Sequence, residues 1–263
     1  MLSHLRTPVA LLFCFILLGQ TMTGWAADQA LPRHAVPTSV IDGDTFTIPH
    51  VGRIRLMGID TPELEHERLP AEPYAQQAKH RATELLMRGG QSVKLSFAPQ
   101  GRSRDVYARP LCYVELANGQ DLAEQLLEEG LAIVYPSADL NRYKRYSKAE
   151  RRARKAKRGA WLEGHWLVDH TEARHHVGAY RIVGGTILNV DQKGGWIYLN
   201  FGKNWREDFT VTISHRDWLA HFRKVLGPFK ELQGRFVEVR GRIGWRNGAS
   251  IRAYHPYQLQ LDQ

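Results

Sequence analysis

The chain has 263 residues, 43% of them hydrophobic and 24% charged, a composition that describes a globular protein with room for two modest domains. Lys and Arg number 36 against 27 Asp and Glu, and the formal net charge of +9 favours a polyanionic partner: nucleic acid, anionic lipid or acidic polysaccharide. Composition alone does not choose among these three.

Met1 to Ala26 reads as a processing segment. His4 and Arg6 give a positive start, Val9 to Leu18 an apolar centre, and Gly24-Trp25-Ala26 small residues at the cleavage positions. The apolar run is too short to span a membrane comfortably, so residues 1–26 are expected to be a signal peptide, with an uncleaved anchor as the alternative. The mature chain is then periplasmic or secreted, without stable membrane association. Cleavage would leave Cys112 as the only thiol, which excludes an intrachain disulfide and suits a buried, inert cysteine.

The stretch from Val40 to Glu63, VIDGDTFTIPHVGRIRLMGIDTPE, concentrates charge in two β-type runs. Asp42-Gly43-Asp44 favours a tight turn, because Gly tolerates positive φ and Asp caps its own backbone. Thr45 to Ile48 and Ile54 to Ile59 read as hairpin strands, and Pro62 stops the second. Such a hairpin brings Asp44 near Asp60. Converging carboxylates repel, so they either protonate or hold a cation, while a neighbouring arginine such as Arg55 suggests an anionic second ligand, phosphate above all. A ligand set of Asp44, Asp60 and the Thr61 carbonyl, without His or Cys, argues for calcium or magnesium over zinc. Asp42 is expected to order the turn. His66, in the polar loop that follows, reads as a solvated histidine.

A helix is predicted over Glu72 to Arg88, strands over Gln91 to Phe97 and Arg109 to Leu116, and a short helix over Leu122 to Glu129. Arg142 to Arg158 holds ten basic residues with alanines spaced through it, a solvated helix face closing the domain, and Trp161 reads as a core anchor. The histidine-rich tract 162–179 is read as a linker, because its spacing matches no recognised metal site.

Three strands, a helix and two strands are then expected over 180–263, the order of an OB-like barrel. This unit carries thirteen Lys and Arg against seven Asp and Glu, and Trp196, Tyr198, Trp205, Trp245 and Tyr254 are candidates to stack on bases. It is expected to hold substrate without contributing chemistry, so that truncation after about Ala179 spares turnover on short substrates; the rival expectation is a buttress. The fold class is thus mainly β with α (α+β). A five-stranded OB-type barrel with helices (27–161) precedes a linker (162–179) and a second, smaller OB-like barrel (180–263).

Asp42-Gly43-Asp44-Thr45, Arg55, Asp60-Thr61-Pro62-Glu63 and Asp105-Val106-Tyr107-Ala108-Arg109 together resemble the thermonuclease, or staphylococcal nuclease-like, family of phosphodiesterases. The likeness runs from about Val36 to Trp161. Ala108 stands where the family usually has Gly, Gln77 where it often has an acid, and Val106 in place of a basic residue. The resemblance implies a calcium-dependent nuclease acting on DNA and/or RNA, with magnesium a poorer substitute. Asp44, Asp60 and Thr61 would hold the metal, and Glu63 would activate water. Arg55 and Arg109 would stabilise the phosphoryl transition state, and Tyr107 would contact a substrate phosphate. The 180–263 unit looks like the accessory domain behind some bacterial nuclease domains of this family. A monomer is expected. The competing reading is a non-catalytic nucleic-acid-binding protein of two OB-like barrels, which would need neither Glu63 nor both arginines.

Overall fold

The computed structural model describes residues 31–65, 70–97, 104–136, 139–204 and 206–261. Residues 1–26, His66 and Trp205 lie outside that set. From Pro32 to Gln263 the chain forms one compact unit of mixed α/β structure, mostly strands with few helices.

The first half is built on a six-stranded sheet. Its strands, with the short β5 set apart, are β1 (His34–Ala35), β2 (Ser39–Val40), β3 (Thr45–Ile48), β4 (Gly52–Leu56), β5 (Ile59–Asp60), β6 (Val93–Phe97) and β7 (Leu111–Glu115). The spatial order is β1-β6-β7-β4-β3-β2, and β4 runs parallel to β7. The expected second arm of the hairpin, Ile54 to Ile59, is broken at Gly58. Its φ of 81° turns the chain, so that β5 leaves the sheet and pairs instead with β8 (Ile133–Val134), Asp60 opposite Ile133. This break lifts Asp60 out of the ladder and aims it back at the hairpin.

Three helices cover this sheet: α1 (Ala75–Met87), α2 (Leu122–Glu128) and α3 (Leu140–Lys155). Asp121 and Asp139 cap α2 and α3 by accepting hydrogen bonds from Glu124 N–H and Arg142 N–H at 3.1 and 3.0 Å. The basic helix α3 does bury one face, through Tyr146, Ala149, Glu150 and Ala153. Its charge is only partly free for long-range attraction, because Arg142 and Arg145 pair with Asp121 and Arg152 with Glu128. Cys112 is fully buried in the core between sheet and helices, and that burial pushes its thiol pKa up.

The second half holds two sheets. Strand β9 (Leu167–Asp169) lies within the tract read as a linker and pairs in parallel with β10 (Tyr180–Thr186). The chain then changes sheet: Ile187 N–H donates to Arg235 O and Leu188 N–H to Asn200 O, so the first of the three strands expected at the start of 180–263 becomes two, β10 and β11 (Asn189–Lys193). The remaining strands are β12 (Trp196–Asn200), β13 (Thr210–Ser214), β14 (Phe236–Arg242), β15 (Gly244–Trp245), β16 (Ala249–Ala253) and β17 (Leu259–Leu261). They are arranged β17-β14-β10-β9 and β11-β12-β13-β16-β15, with a helical segment from His215 to Leu226 inserted before β14. Val183, Val237 and Val239 of one sheet share a core with Leu199, Val211 and Ile251 of the other.

Where a five-stranded barrel and a second barrel were expected, the described residues form open sheets and none closes on itself. In the first half the outermost strands β1 and β2 are two residues long and do not pair with each other, and in the second the sheet change at Ile187–Leu188 interrupts the ladder.

Between the halves runs a seam with its own apolar cluster, Ile133, Ala153, Ala160, Trp161, Trp166, Tyr180 and Ile182. Trp161 is thus an anchor of the seam. Arg240 donates through both terminal nitrogens to Glu150, at 3.0 and 2.8 Å, and Glu150 in turn accepts from Val134 N–H at 2.5 Å. Arg154 makes a second two-pronged bridge to Glu238, at 2.7 and 2.6 Å.

Candidate active site

The site begins with the turn before β3. Ile41 and Asp42 both donate to Thr45 O, and Asp42 Oδ1 accepts from Asp44 N–H at 3.0 Å, so the turn closes on itself. A Cβ at Gly43 would lie 2.8 Å from Ala78 Cβ and 2.9 Å from the Thr61 side chain. Only glycine lets the turn lie against α1 and the end of β5. Asp44 is thereby driven inward, where both of its oxygens are used. Oδ1 accepts from Thr45 Oγ1 at 3.1 Å and from Arg55, and Oδ2 accepts from Thr61 N–H at 2.9 Å.

Arg55 comes from β4, directly opposite Thr45 in the hairpin register. Its two terminal nitrogens bridge Asp44 Oδ1 and Asp60 Oδ1, and the second also donates to Ile59 O at 3.4 Å. One guanidinium therefore faces two buried acids, with Asp42 a third close by. Burial, then the charge of Asp44, pushes Asp42 up to about 7. Burial likewise raises Asp60 to about 6, although Arg55 opposes the rise. Burial disfavours the charge on Arg55, but Asp44 and Asp60 outweigh it and hold the guanidinium firmly protonated. The pocket carries more negative charge than its arginine neutralises.

Glu63 follows Pro62 onto the rim, exposed to solvent. Partial desolvation, and then the charge of Asp44, raise its pKa; Arg55 and Arg242 act against that rise. The chain returns to Glu63 nine residues later: Glu72 N–H donates to Glu63 O at 2.8 Å, and Glu63 N–H donates to Glu72 Oε2 at 3.1 Å.

The second arginine stands on a turn organised by Asp105. Its Oδ1 accepts from the N–H groups of Tyr107 and Arg109, both at 2.9 Å, and its Oδ2 accepts from Arg109 Nε at 2.6 Å. Although burial works against it, these bonds from Arg109 hold the Asp105 carboxyl below its ordinary range. Arg109 Nη1 then donates to Thr45 Oγ1 at 3.2 Å, tying the turn to the hairpin. Tyr107 is exposed, with the Arg109 guanidinium 5.5 Å from its ring centre. Ala108 adopts φ 61°, the left-handed region where the resembled family usually has Gly.

Asp44, Arg55, Asp60, Thr61, Glu63, Tyr107 and Arg109 are thus drawn into one neighbourhood by the hairpin, the β5 break and the Asp105 turn. Thr61 contacts Asp44 through its N–H. Asp105 and Glu72 are participants for which the sequence reading assigned no role. The motif containing Asp105 announced the first, whereas nothing local marked the second. Among the described residues no group of three or more His, Cys, Asp or Glu side chains is placed to hold a metal ion. Any cation here must complete its shell with backbone, water or substrate oxygens. A cavity of about 430 Å³, lined by Arg151, Arg154, Lys155 and Phe236 among others, includes none of these site residues.

A family model described as "Staphylococcal nuclease homologue" matches residues 53–163, which takes in Arg55, Asp60, Glu63 and Arg109. The chain is 32% identical over 126 residues to the Thermonuclease of Staphylococcus hyicus, covering 46% of this chain and 72% of that protein. It is 35% identical over 127 residues to the Thermonuclease of Staphylococcus intermedius, with the same shares. It is also 33% identical over 134 residues to the SPbeta prophage-derived endonuclease YokF of Bacillus subtilis, covering 49% of this chain but only 44% of that longer relative. Being more than 30% identical to two thermonucleases over 72% of their length, the chain belongs to the staphylococcal nuclease homologue family.

Proposed function

We propose that the chain is a nuclease that hydrolyses phosphodiester bonds of DNA and/or RNA, with Glu63 as general base and Arg55 and Arg109 as the phosphate clamp. The observation that carries this reading is the convergence of buried acids, two arginines and one rim carboxylate on a single pocket. Relatives named thermonuclease and endonuclease support a hydrolase of this class.

Hydrolysis needs a placed water, an acceptor for its proton, and positive charge where the phosphoryl oxygens become more negative. Glu63 is exposed enough to meet water, and its raised pKa makes it a stronger base than an ordinary glutamate. Arg109 presents its guanidinium beside Thr45 with Tyr107 next to it, an arrangement that orients one phosphate. Arg55 is shared with Asp44 and Asp60, so its availability to substrate depends on how those acids are neutralised.

The donor set fits a hard cation. It is entirely oxygen, and the buried carboxyls Asp44 and Asp60 outnumber the one arginine between them. Asp44, Asp60 and the Thr61 carbonyl would hold calcium, which when bound supplies positive charge to a substrate phosphate oxygen. Magnesium, with its stricter octahedral demand, would serve less well.

The second half is read as supporting the first and as extending its surface toward substrate. Trp245 and Tyr254 are exposed there, whereas Trp196 is covered by Arg252, 4.9 Å from its ring centre. Export with a mature start near Ala27 belongs to the same reading, and an intact mass of the natively exported protein that retains Met1 would defeat it.

A nuclease gel with labelled single- and double-stranded DNA and RNA tests the main reading. Cutting should vanish with chelator and return with calcium, less well with magnesium. Binding without cutting in calcium would support the non-catalytic alternative. Full activity in excess chelator would remove the calcium part.

A further inference from the structure

We propose that Arg181, in the second half of the molecule, is a positioning residue for Glu63, acting through Glu72 across the seam. The inference rests on the reading of Glu63 as the general base. Its geometry is a continuous chain of bonds. Arg181 Nη2 donates to Glu72 Oε1 at 2.7 Å, and Glu72 Oε2 accepts from Glu63 N–H at 3.1 Å. Glu72 N–H donates back to Glu63 O at 2.8 Å, so Glu72 closes the neck of the loop whose first residue is the base. Each oxygen of one carboxylate thus serves a different half of the molecule.

Arg181 is tied to the rim of the site by a hydrogen bond, whereas Arg242 of β14 acts there only through its charge on Asp60 and Glu63. Its side chain is only 5% exposed, and Nη1 donates to Tyr180 O at 2.9 Å. Its Nε is buried without a hydrogen-bond partner among the described residues, and the guanidinium lies 5.9 Å from the ring centre of Trp166. Burying a guanidinium costs several kcal/mol unless its partners are well placed. Holding the halves together does not require that cost here, because Arg240–Glu150 and Arg154–Glu238 already cross the seam. What Arg181 alone supplies is a fixed direction for the Glu72 carboxylate. His165 also faces that carboxylate but is 3.9 Å away, too far for a hydrogen bond. Freed from Arg181, the Glu72 side chain could turn away from Glu63 N–H, leaving the base held by the one backbone bond from Glu72 N–H to Glu63 O. A base acts only within hydrogen-bond reach of the water it deprotonates, and a displacement of about 1 Å can cost roughly 100-fold.

The test uses the full chain and single-turnover and steady-state kinetics on a short DNA oligonucleotide in calcium. Arg181→Met and Glu72→Gln should each lower kcat about ten- to a hundredfold with little change in KM, the signature of lost positioning and not of lost substrate binding. The double variant should be no worse than the worse single, because both break one chain. Arg181→Lys, which can still reach one oxygen of Glu72, should recover part of the loss. Arg154→Met, which breaks a bridge of the seam remote from the loop, should lower the melting temperature and leave kcat unchanged. Should Arg181→Met fail to fold, Glu72→Gln and Arg181→Lys decide the question. Wild-type kcat in a folded Arg181→Met or in Glu72→Gln overturns the proposal, as do losses that multiply in the double variant. Failure of the underlying reading looks different: Glu63→Gln itself would then cut normally, whatever Arg181 does.

Discussion

The two halves of this molecule spend buried charge differently. In the first half the buried acids Asp44 and Asp60 gather around one arginine, so the carboxyl groups outnumber the guanidinium that faces them. In the second half the buried arginines Arg181 and Arg240 each find an acid from the other side of the seam, and those charges are matched. Imbalance is what a site needs in order to bind an ion or a phosphate; balance is what a joint needs. The comparison also changes the meaning of the positive charge of the second half. Part of it is spent on the seam, so truncation after about Ala179 would leave Glu72 and Glu150 without their buried partners and expose Trp161 and Ile133. After that truncation, equal losses on short and long substrates with a lowered melting temperature would mark a buttress, and a loss confined to long substrates would mark a substrate holder.

Variants that remove one side of each arrangement should sharpen the contrast, and the largest effect belongs to the site. Arg55→Ala and Arg109→Ala should each lower turnover by roughly two or more orders of magnitude, as electrostatic clamps do. Only Arg55→Ala should also cost about 3–5 kcal/mol of stability, since it abandons two buried carboxylates. Glu63→Gln should match their loss of turnover without a change in the melt. Urea unfolding beside oligonucleotide kinetics checks all three, and an Arg55→Ala protein of unchanged stability would break the distinction.

At the seam the expected loss is in stability first. Glu150→Ala leaves Arg240 buried and Val134 N–H without its acceptor, and should cost about 3–5 kcal/mol. Calorimetry would read this as a lowered melting temperature, and an unchanged one would show that the joint lies elsewhere.

A smaller effect should appear with acid. His165 sits in the seam region facing Arg181, Glu72 and His176; burial, then the charge of Arg181, lowers it to about 4. The native state keeps this ring neutral while the unfolded chain takes up a proton near pH 6.5. Its contribution to stability is therefore intact above that value and lost as the pH falls from about 6.5 to about 4. Denaturant melts of His165→Gln against wild type across that window test it, and parallel pH profiles would refute the assignment.

The smallest effect expected is on the Asp105 turn. Ala108 at φ 61° bears a steric cost of about 1 kcal/mol that glycine avoids, partly offset by the greater entropy of an unfolded glycine. Ala108→Gly should raise stability by less than about 1 kcal/mol without altering the fold of the turn, a shift that differential scanning calorimetry resolves.

Much of the first half was legible in the chain. Asp42-Gly43-Asp44 specifies its turn locally, Thr45–Ile48 specifies a strand by alternation, and Asp105 to Arg109 closes on itself through hydrogen bonds no more than four residues long. Short-range chemistry of this kind is written where it acts, which is why Asp44, Asp60 and Arg55 could be named from the residues, while the roles of Glu63 and Arg109 came from the family resemblance. The break at Gly58, the change of sheet at Ile187–Leu188 and the open edges of the sheets were not legible, since each depends on which distant strand takes up the hydrogen bonds. The same holds for the role of Glu72. Its partners are Glu63, nine residues back, and Arg181, 109 residues on, and only the packing of one half against the other places all three together. Sequence by itself determined the chemistry available at the site, because residue type and local turn geometry decide it; tertiary structure alone decided which charges are left unbalanced to act and which are consumed in holding the halves together.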